Sequence, residues 1–382
     1  MPAVKPTAPV KPTAAVESAA ASTQAGGIQG AGRKIIPGLA VSALALVALF
    51  YLVDRQQFVS ALRQADYRFI ALLFISTLVW LAARTMVWRS LLQKQASFSQ
   101  VFFTLSEGYL INNLLPLRLG ELARAFLLSR KASLKFMEVL STIFVERLLD
   151  IAMAAGLLLA SLALVVGGQW AEETALFIGG VVLVGLASLA LAAQRQAWVM
   201  RQFERLSQRW PRLKTTGGRQ LQAFLDGLAV FQDGRLFMVT LGWVIVNWTI
   251  ALGQYYLILR AFFPQVQYQW IPFSLGVTTL GAAAPSSPAA IGVLEASMVG
   301  ALSVFGLNPA TSLAAAVVMH LSSILVTTVL GSFALIQDGV SLTRLYRELP
   351  EMAAPVDLAA PVDLAAPAGS DSAGKPGGPE ED

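Results

Sequence analysis

The 382 residues carry 28 Lys and Arg against 23 Asp and Glu, one His and no Cys; 55% are hydrophobic and 13% charged, and the mean hydropathy is +0.62. So little charge on so apolar a chain excludes an ordinary soluble domain and predicts an all-α polytopic membrane protein. The lack of Cys excludes disulfides and thiolate chemistry, a single His gives no basis for a histidine-built metal centre, and the net charge of +5 matters through its placement rather than its total.

Residues 1–34 contain a direct repeat, Val4–Ala8 and Val10–Ala14, then an Ala/Ser/Gly run. That composition predicts a disordered arm. The first hydrophobic run follows Arg33-Lys34, too deep for an ordinary signal peptide, and is expected to be a retained helix with a cytoplasmic N-terminus. About 20 residues at ~1.5 Å each cross a ~30 Å hydrocarbon core. By that length the chain from 35 to 337 holds eight hydrophobic units: Ile35–Val53, Phe69–Leu92, Val101–Leu128, Phe136–Val166, Thr174–Ala193, Phe237–Leu259, Ile271–Phe305 and Ser312–Ile336. Arg84 and Arg89 fall near the far end of the second unit, where long side chains can snorkel. Residues 338–382, with Ala/Pro/Asp repeats and an acidic end, are expected to be a disordered cytoplasmic tail.

Two units are interrupted. Val101–Leu128 places Asn112, Asn113, Pro116, Arg118, Gly120, Glu121 and Arg124 in an otherwise apolar run. Pro116 lacks an amide proton, and backbone groups freed at membrane depth must be satisfied by protein or water. A half-helix to about Leu115, a break and a second half-helix from about Leu119 satisfy both conditions. Gly281–Glu295 repeats the device, with Pro285, Ser286, Ser287 and Pro288 ahead of Gly292 and Glu295. Paired interruptions in two halves point to a transporter-type binding site.

Charge decides how these units sit. The loop 194–236 carries Arg195, Arg201, Arg205, Arg209, Arg212, Lys214, Arg219 and Arg235 against Glu204, Asp226 and Asp233, so it is expected in the cytoplasm. The loop from Gly167, ending Glu172-Glu173, has no basic residue and fits the outside. Both assignments hold if the interrupted units are re-entrant. The fold expected is therefore six full spans plus two re-entrant helical hairpins, an inverted repeat with halves 35–166 and 174–336 and both termini cytoplasmic.

Asn113–Glu121 with Arg124, then Glu146-Arg147-Leu-Leu-Asp150, then Pro288–Glu295 resemble the signature blocks of the lysylphosphatidylglycerol synthase transmembrane-region family, also called the flippase-like domain. The resemblance covers roughly Ile35 to Ile336. It implies an eight-segment membrane domain that, in aminoacyl-phosphatidylglycerol synthases, translocates the modified lipid; other members look like lipid-handling proteins of hopanoid or polyprenyl-glycan pathways. Two departures stand out. Ala289 and Ala290 occupy positions where members often have Gly, and no soluble synthase domain follows residue 336, so aminoacyl transfer is not expected.

Each candidate residue has two readings. Ser287 before Pro288 matches an N-cap with proline at the first helical position, whose amides would attract an anion, or Ser286-Ser287-Pro288 merely turns the hairpin. Arg118 and Arg124 hold a phosphate or snorkel to head groups. Glu121 responds to substrate or is simply stabilised by the helix dipole. Glu146 and Asp150 share a helix face at i, i+4 and Arg147 neighbours Asp150 at i, i+3, near the cytoplasmic mouth, as a functional triad or a structural ion pair. His320 lies inside the last span, a polar packing residue or a proton carrier.

With no Walker-type loop, no Asp-x-Asp pair, no Cys and one His, catalysis is not expected, nor is a metal or cofactor. The function expected is translocation of a phosphate-bearing or aminoacylated lipid between leaflets of a bacterial-type cytoplasmic (inner) membrane. The alternative is an accessory or enzyme of lipid-linked biosynthesis. The partners expected are membrane lipids, namely an anionic or aminoacylated phospholipid or a polyprenyl phosphate, and no nucleic acid.

Overall fold

A computed structural model describes residues 40–49, 51, 53–115, 118–165, 169–208, 217–283 and 287–339. Every described element is helical. The helices are α1 (Ala40–Leu49), α2 (Arg55–Gln64), α3 (Tyr67–Leu91), α4 (Phe98–Leu114), α5 (Leu119–Lys131), α6 (Phe136–Val165), α7 (Gln169–Gln194), α8 (Gln196–Ser207), α9 (Gly218–Gly227), α10 (Gly234–Phe262), α11 (Trp270–Ala283), α12 (Val293–Ser303) and α13 (Pro309–Gln337). Among the described residues α3, α10 and α13 are long and apolar enough to cross a membrane; α6 and α7 run for 30 and 26 residues.

Local chemistry sets the helix ends. Asp66 caps α3 through Arg68 N, and Asp233 caps α10 through Arg235 N and Leu236 N. Asn308 accepts from Ala310 N and Thr311 N at the start of α13, with Pro309 at the first helical position. Ser97 and Gln100 form a reciprocal capping box on α4. Each device satisfies amide donors that a helix start leaves without partners.

Both interrupted units are hairpins. Gln100 near the start of α4 donates to Lys131 O at the end of α5, 3.0 Å away, so the two half-helices run back along each other. Phe273 of α11 packs edge-on against Phe305, just beyond α12, with centroids 5.4 Å apart. The hairpins open toward opposite ends of the bundle. The base of α4–α5 shares its end with the start of α6, with α9 and with Asp338, which pairs with Lys131. The base of α11–α12 shares the other end with α2 and the start of α3, where Asp66 N donates to Ala261 O at 2.8 Å and Asn308 Nδ2 to Gln57 Oε1 at 2.8 Å.

Packing between the halves is reciprocal. α3 lies on α10, α4 lies on α13, and α11 lies on α6. Exchanging the halves, α3 with α10, α4–α5 with α11–α12 and α6 with α13, maps this set of contacts onto itself.

Several expectations need correction. The basic segment 194–236 contains two helices, α8 and α9, and α2 follows the first hydrophobic unit; these short amphipathic runs are helical where polar composition alone predicts loop. Pro288 does not begin the second half-helix. Pro288–Ala290 is a single 3₁₀ turn with Ala289 at φ 55°, and the helix proper starts at Val293 after Gly292 at φ 87°. Ser287 does not cap it, because its hydroxyl donates to Ile291 O at 2.9 Å. Ala289 and Ala290 both sit in the left-handed region, φ 55° and 58°, where a Cβ costs roughly 1–2 kcal/mol per residue. That is the physical reason glycine suits these two positions.

Candidate functional site

The tips of the two hairpins meet. In the first, Asn112 Oδ1 accepts from Gly120 N at 2.8 Å, which satisfies an amide at the start of α5 and ties it to α4. Asn113 Nδ2 donates to Thr327 Oγ1 at 3.0 Å and anchors the tip to α13. Arg118 precedes α5 at φ 55°, and its guanidinium reaches Ala282 O at the end of α11. In the second hairpin, Ser287 N donates to Ser42 Oγ of α1 at 3.0 Å. Pro116 and Ser286 lie outside the described residues.

One wall of the space beneath the tips is ionic. Arg84 of α3 grips Asp150 of α6 with both terminal nitrogens, 2.7 and 2.5 Å from the carboxylate oxygens, and also pairs with Glu146. Glu146 takes Arg124 of α5 at 3.0 Å, and the Arg124 guanidinium stacks on Trp88, 4.7 Å from the ring centroid. Arg147 Nε lies 2.9 Å from Glu121 Oε1, a charge contact without hydrogen-bond alignment, and its Nη1 lies 3.4 Å from Asp150. Arg118 lies 3.8 Å from Glu121 and is 39% exposed. Four arginines thus face three carboxylates, and the excess positive charge belongs to the most accessible, Arg118.

Burial corrects the sequence-based expectation for Arg84. It is 3% exposed, beside Glu146 at 1% and Arg124 at 2%, so it does not snorkel: the acids of α6 at the same depth hold it inside.

The facing wall belongs to the second hairpin and α13. Glu295 in the first turn of α12 accepts from Gly292 N at 2.7 Å, and its other oxygen lies 2.6 Å from His320 Nδ1 on α13. His320 is therefore no isolated packing residue. Between the walls lies a cavity of about 590 Å³, flanked by the central turns of α10 and α13. Asn112, Asn113, Arg118, Glu121, Arg147, Asp150, Ser287 and His320 line it, as do Arg84, Tyr109, Gln254 and Tyr255. Gln254 Nε2 donates to Thr77 Oγ1 across to α3 at 3.1 Å. Gly120, Arg124, Glu146, Pro288, Gly292 and Glu295 stand behind the lining. A polar residue inside an apolar span, such as Gln254 or Asn247, is the sequence signal for this wall.

An all-helical bundle with apolar spans around a cavity that carries charged groups on part of its wall defines a polytopic helical membrane protein. Residues 35–331 match the lysylphosphatidylglycerol synthase TM region family, and the chain belongs to that family. It is 25% identical over 361 residues to a protein named glycosyltransferase AglD from Haloferax volcanii, covering 83% of this chain and 56% of that protein. The chain thus spans about half the length of that curated relative. Two UPF0104 membrane proteins of Methanothermobacter thermautotrophicus are each 23% identical, over 328 and 305 residues, covering 80% and 77% of this chain and 96% and 90% of theirs.

Proposed function

We propose that this protein translocates a phosphate-bearing or aminoacylated lipid between leaflets, with the head group passing through the cavity between the hairpin tips. The observation that carries the reading is the ionic wall, where four arginines meet three carboxylates and Arg118 stays accessible. Arginine suits a phosphate because its planar fork offers paired donors. Carboxylate pairing of the other three arginines holds that wall in place without a ligand, so the head group meets a preformed site. Acyl chains can remain in the bilayer while only the head crosses the polar space.

In this reading α1, α3, α6, α7, α10 and α13 span the bilayer, and the two hairpins are re-entrant from opposite faces. The reciprocal packing of the halves and the opposed hairpin bases support that inverted repeat. The basic segment holding α8 and α9 sets the cytoplasmic side, at which the α4–α5 hairpin opens. The membrane is the cytoplasmic one, and the protein itself performs no covalent chemistry. The relative named as a glycosyltransferase favours a second reading, an accessory role in lipid-linked glycan assembly.

The absence of Cys makes topology measurable without background. Gly217→Cys is expected to react with an impermeant maleimide only from the cytoplasm and Gln265→Cys only from outside; external labelling at Gly217 would sink the re-entrant arrangement. Transport is tested in reconstituted vesicles with head-group-labelled lipids and an external quencher. A panel of phosphatidylglycerol, lysyl-phosphatidylglycerol and polyprenyl phosphate should include at least one lipid that crosses faster than in protein-free vesicles. Equal rates across the panel would leave the accessory reading in its place.

A further inference from the structure

From α10 to Asp338, the C-cap of α13, the charged or titratable side chains other than tyrosine are Arg235, Arg260, Glu295, His320 and Asp338. Arg235, Arg260 and Asp338 stand at helix ends. Glu295 and His320 alone stand in the interior, each 7% exposed. The imidazole forms part of the cavity wall, and Nδ1 lies 2.6 Å from Glu295 Oε1. At that separation a proton occupies the gap. With the carboxylate ionised and the imidazole neutral, Nδ1–H donates to Oε1 and the pair carries one negative charge. A further proton binds at Nε2, and the pair becomes neutral overall.

Few other groups face the pair. α1 and α11 contribute no charged residue. α4 contributes Glu107, held by Lys131 at 2.9 Å, and Tyr109. α3 contributes Arg84, held by Asp150 and Glu146, with Tyr67, Arg68 and Arg89 toward its ends. α10 contributes Tyr255 on the cavity wall and Tyr256, which is exposed, while Arg55 and Arg63 of α2 lie on exposed positions at one end of the bundle. Across the cavity stand Arg118, Arg147, Glu121 and Asp150.

Together with Arg84, that opposite wall carries one positive charge in excess. The negative pair cancels it; the protonated pair does not. We propose that His320 and Glu295 form a proton site loaded together with an anionic head group, so that proton and lipid cross as a unit. The proposal rests on the translocase reading. A head group bearing a negative charge enters a neutral cavity when the pair is deprotonated and a positive one when it is protonated. By reciprocity, the bound anion must strengthen proton binding by the same factor. An inwardly directed proton gradient then drives anionic head groups toward the cytoplasm.

Two measurements test this. Because the chain has one His, histidine-labelled protein without an affinity tag gives a single imidazole resonance. Its titration midpoint is expected to rise when dioctanoyl phosphatidylglycerol is added and to stay put with the phosphatidylcholine analogue. In vesicles with labelled phosphatidylglycerol, acidifying the outside should speed inward movement on the order of tenfold. His320→Gln and Glu295→Gln should each lose that dependence. Transport by the wild type that ignores the gradient, or gradient dependence kept in both variants, overturns the proton site and leaves translocation standing. No transport of any lipid at any pH removes translocation and the coupling with it.

Discussion

Arg84→Met is expected to lower the unfolding free energy in detergent by about 3–5 kcal/mol, the cost of removing one partner from a buried charge pair. The side chain occupies the centre of the ionic wall, with two hydrogen bonds to Asp150 and a pairing to Glu146. Its loss leaves Asp150 with only the longer contact to Arg147, 3.4 Å, and Glu146 with Arg124 alone. Arg84→Lys should recover little, since an ammonium cannot span both oxygens of Asp150 and still reach Glu146. Neutralising the partner in Arg84→Met with Asp150→Asn should restore part of the loss, because one stranded charge is removed with it. Stability of Arg84→Met equal to wild type by chemical denaturation would mean that the network contributes nothing to the fold. The same variant should abolish transport in the vesicle assay, since the wall that positions Arg118, Arg147 and Glu121 would no longer be held.

How much of this arrangement the sequence revealed depended on the range of each interaction. The break near Leu115 and restart at Leu119 were legible because Pro116 and its polar neighbours violate local rules that hold within one helix; α4 ends at Leu114 and α5 begins at Leu119. The clustering of Glu146, Arg147 and Asp150 was legible for the same reason, since Glu146 with Asp150 and Arg147 with Asp150 stand at helical spacings. The burial of Arg84 is not legible because its partners lie 62 and 66 residues away on another helix, and nothing local distinguishes a snorkelling arginine from a buried one. The sequence gives His320 two readings on the same ground, its partner Glu295 being 25 residues off. The second half-helix starts five residues later than the Ser-Pro signal predicts, at Val293 instead of Pro288. There the Ser-Pro cap signal is real in type, yet two left-handed alanines and Gly292 turn the chain again before the helix begins.

Gly120→Ala is the substitution expected to damage the first hairpin most. A Cβ at this position would lie 2.0 Å from Gly108 O and 2.7 Å from the Asn112 amide, and a backbone oxygen in α4 cannot rotate aside. The half-helices must therefore separate, at a cost of about 1–3 kcal/mol or more. Separation withdraws Gly120 N from Asn112 Oδ1, now 2.8 Å apart. It also shifts Arg124, one turn further along α5, away from Glu146. Both the tip and the ionic wall are thus disturbed by one methyl group placed outside the cavity lining. Gly300→Ala in α12 is the matching control: nothing lies within 4 Å of its Cβ position, and alanine there gains up to about 1 kcal/mol of helix propensity. Thermal melts and vesicle transport measured side by side should separate the two variants, with Gly120→Ala losing both stability and transport and Gly300→Ala keeping both. Wild-type melting and transport in Gly120→Ala would show that α4 and α5 do not close on each other through this glycine.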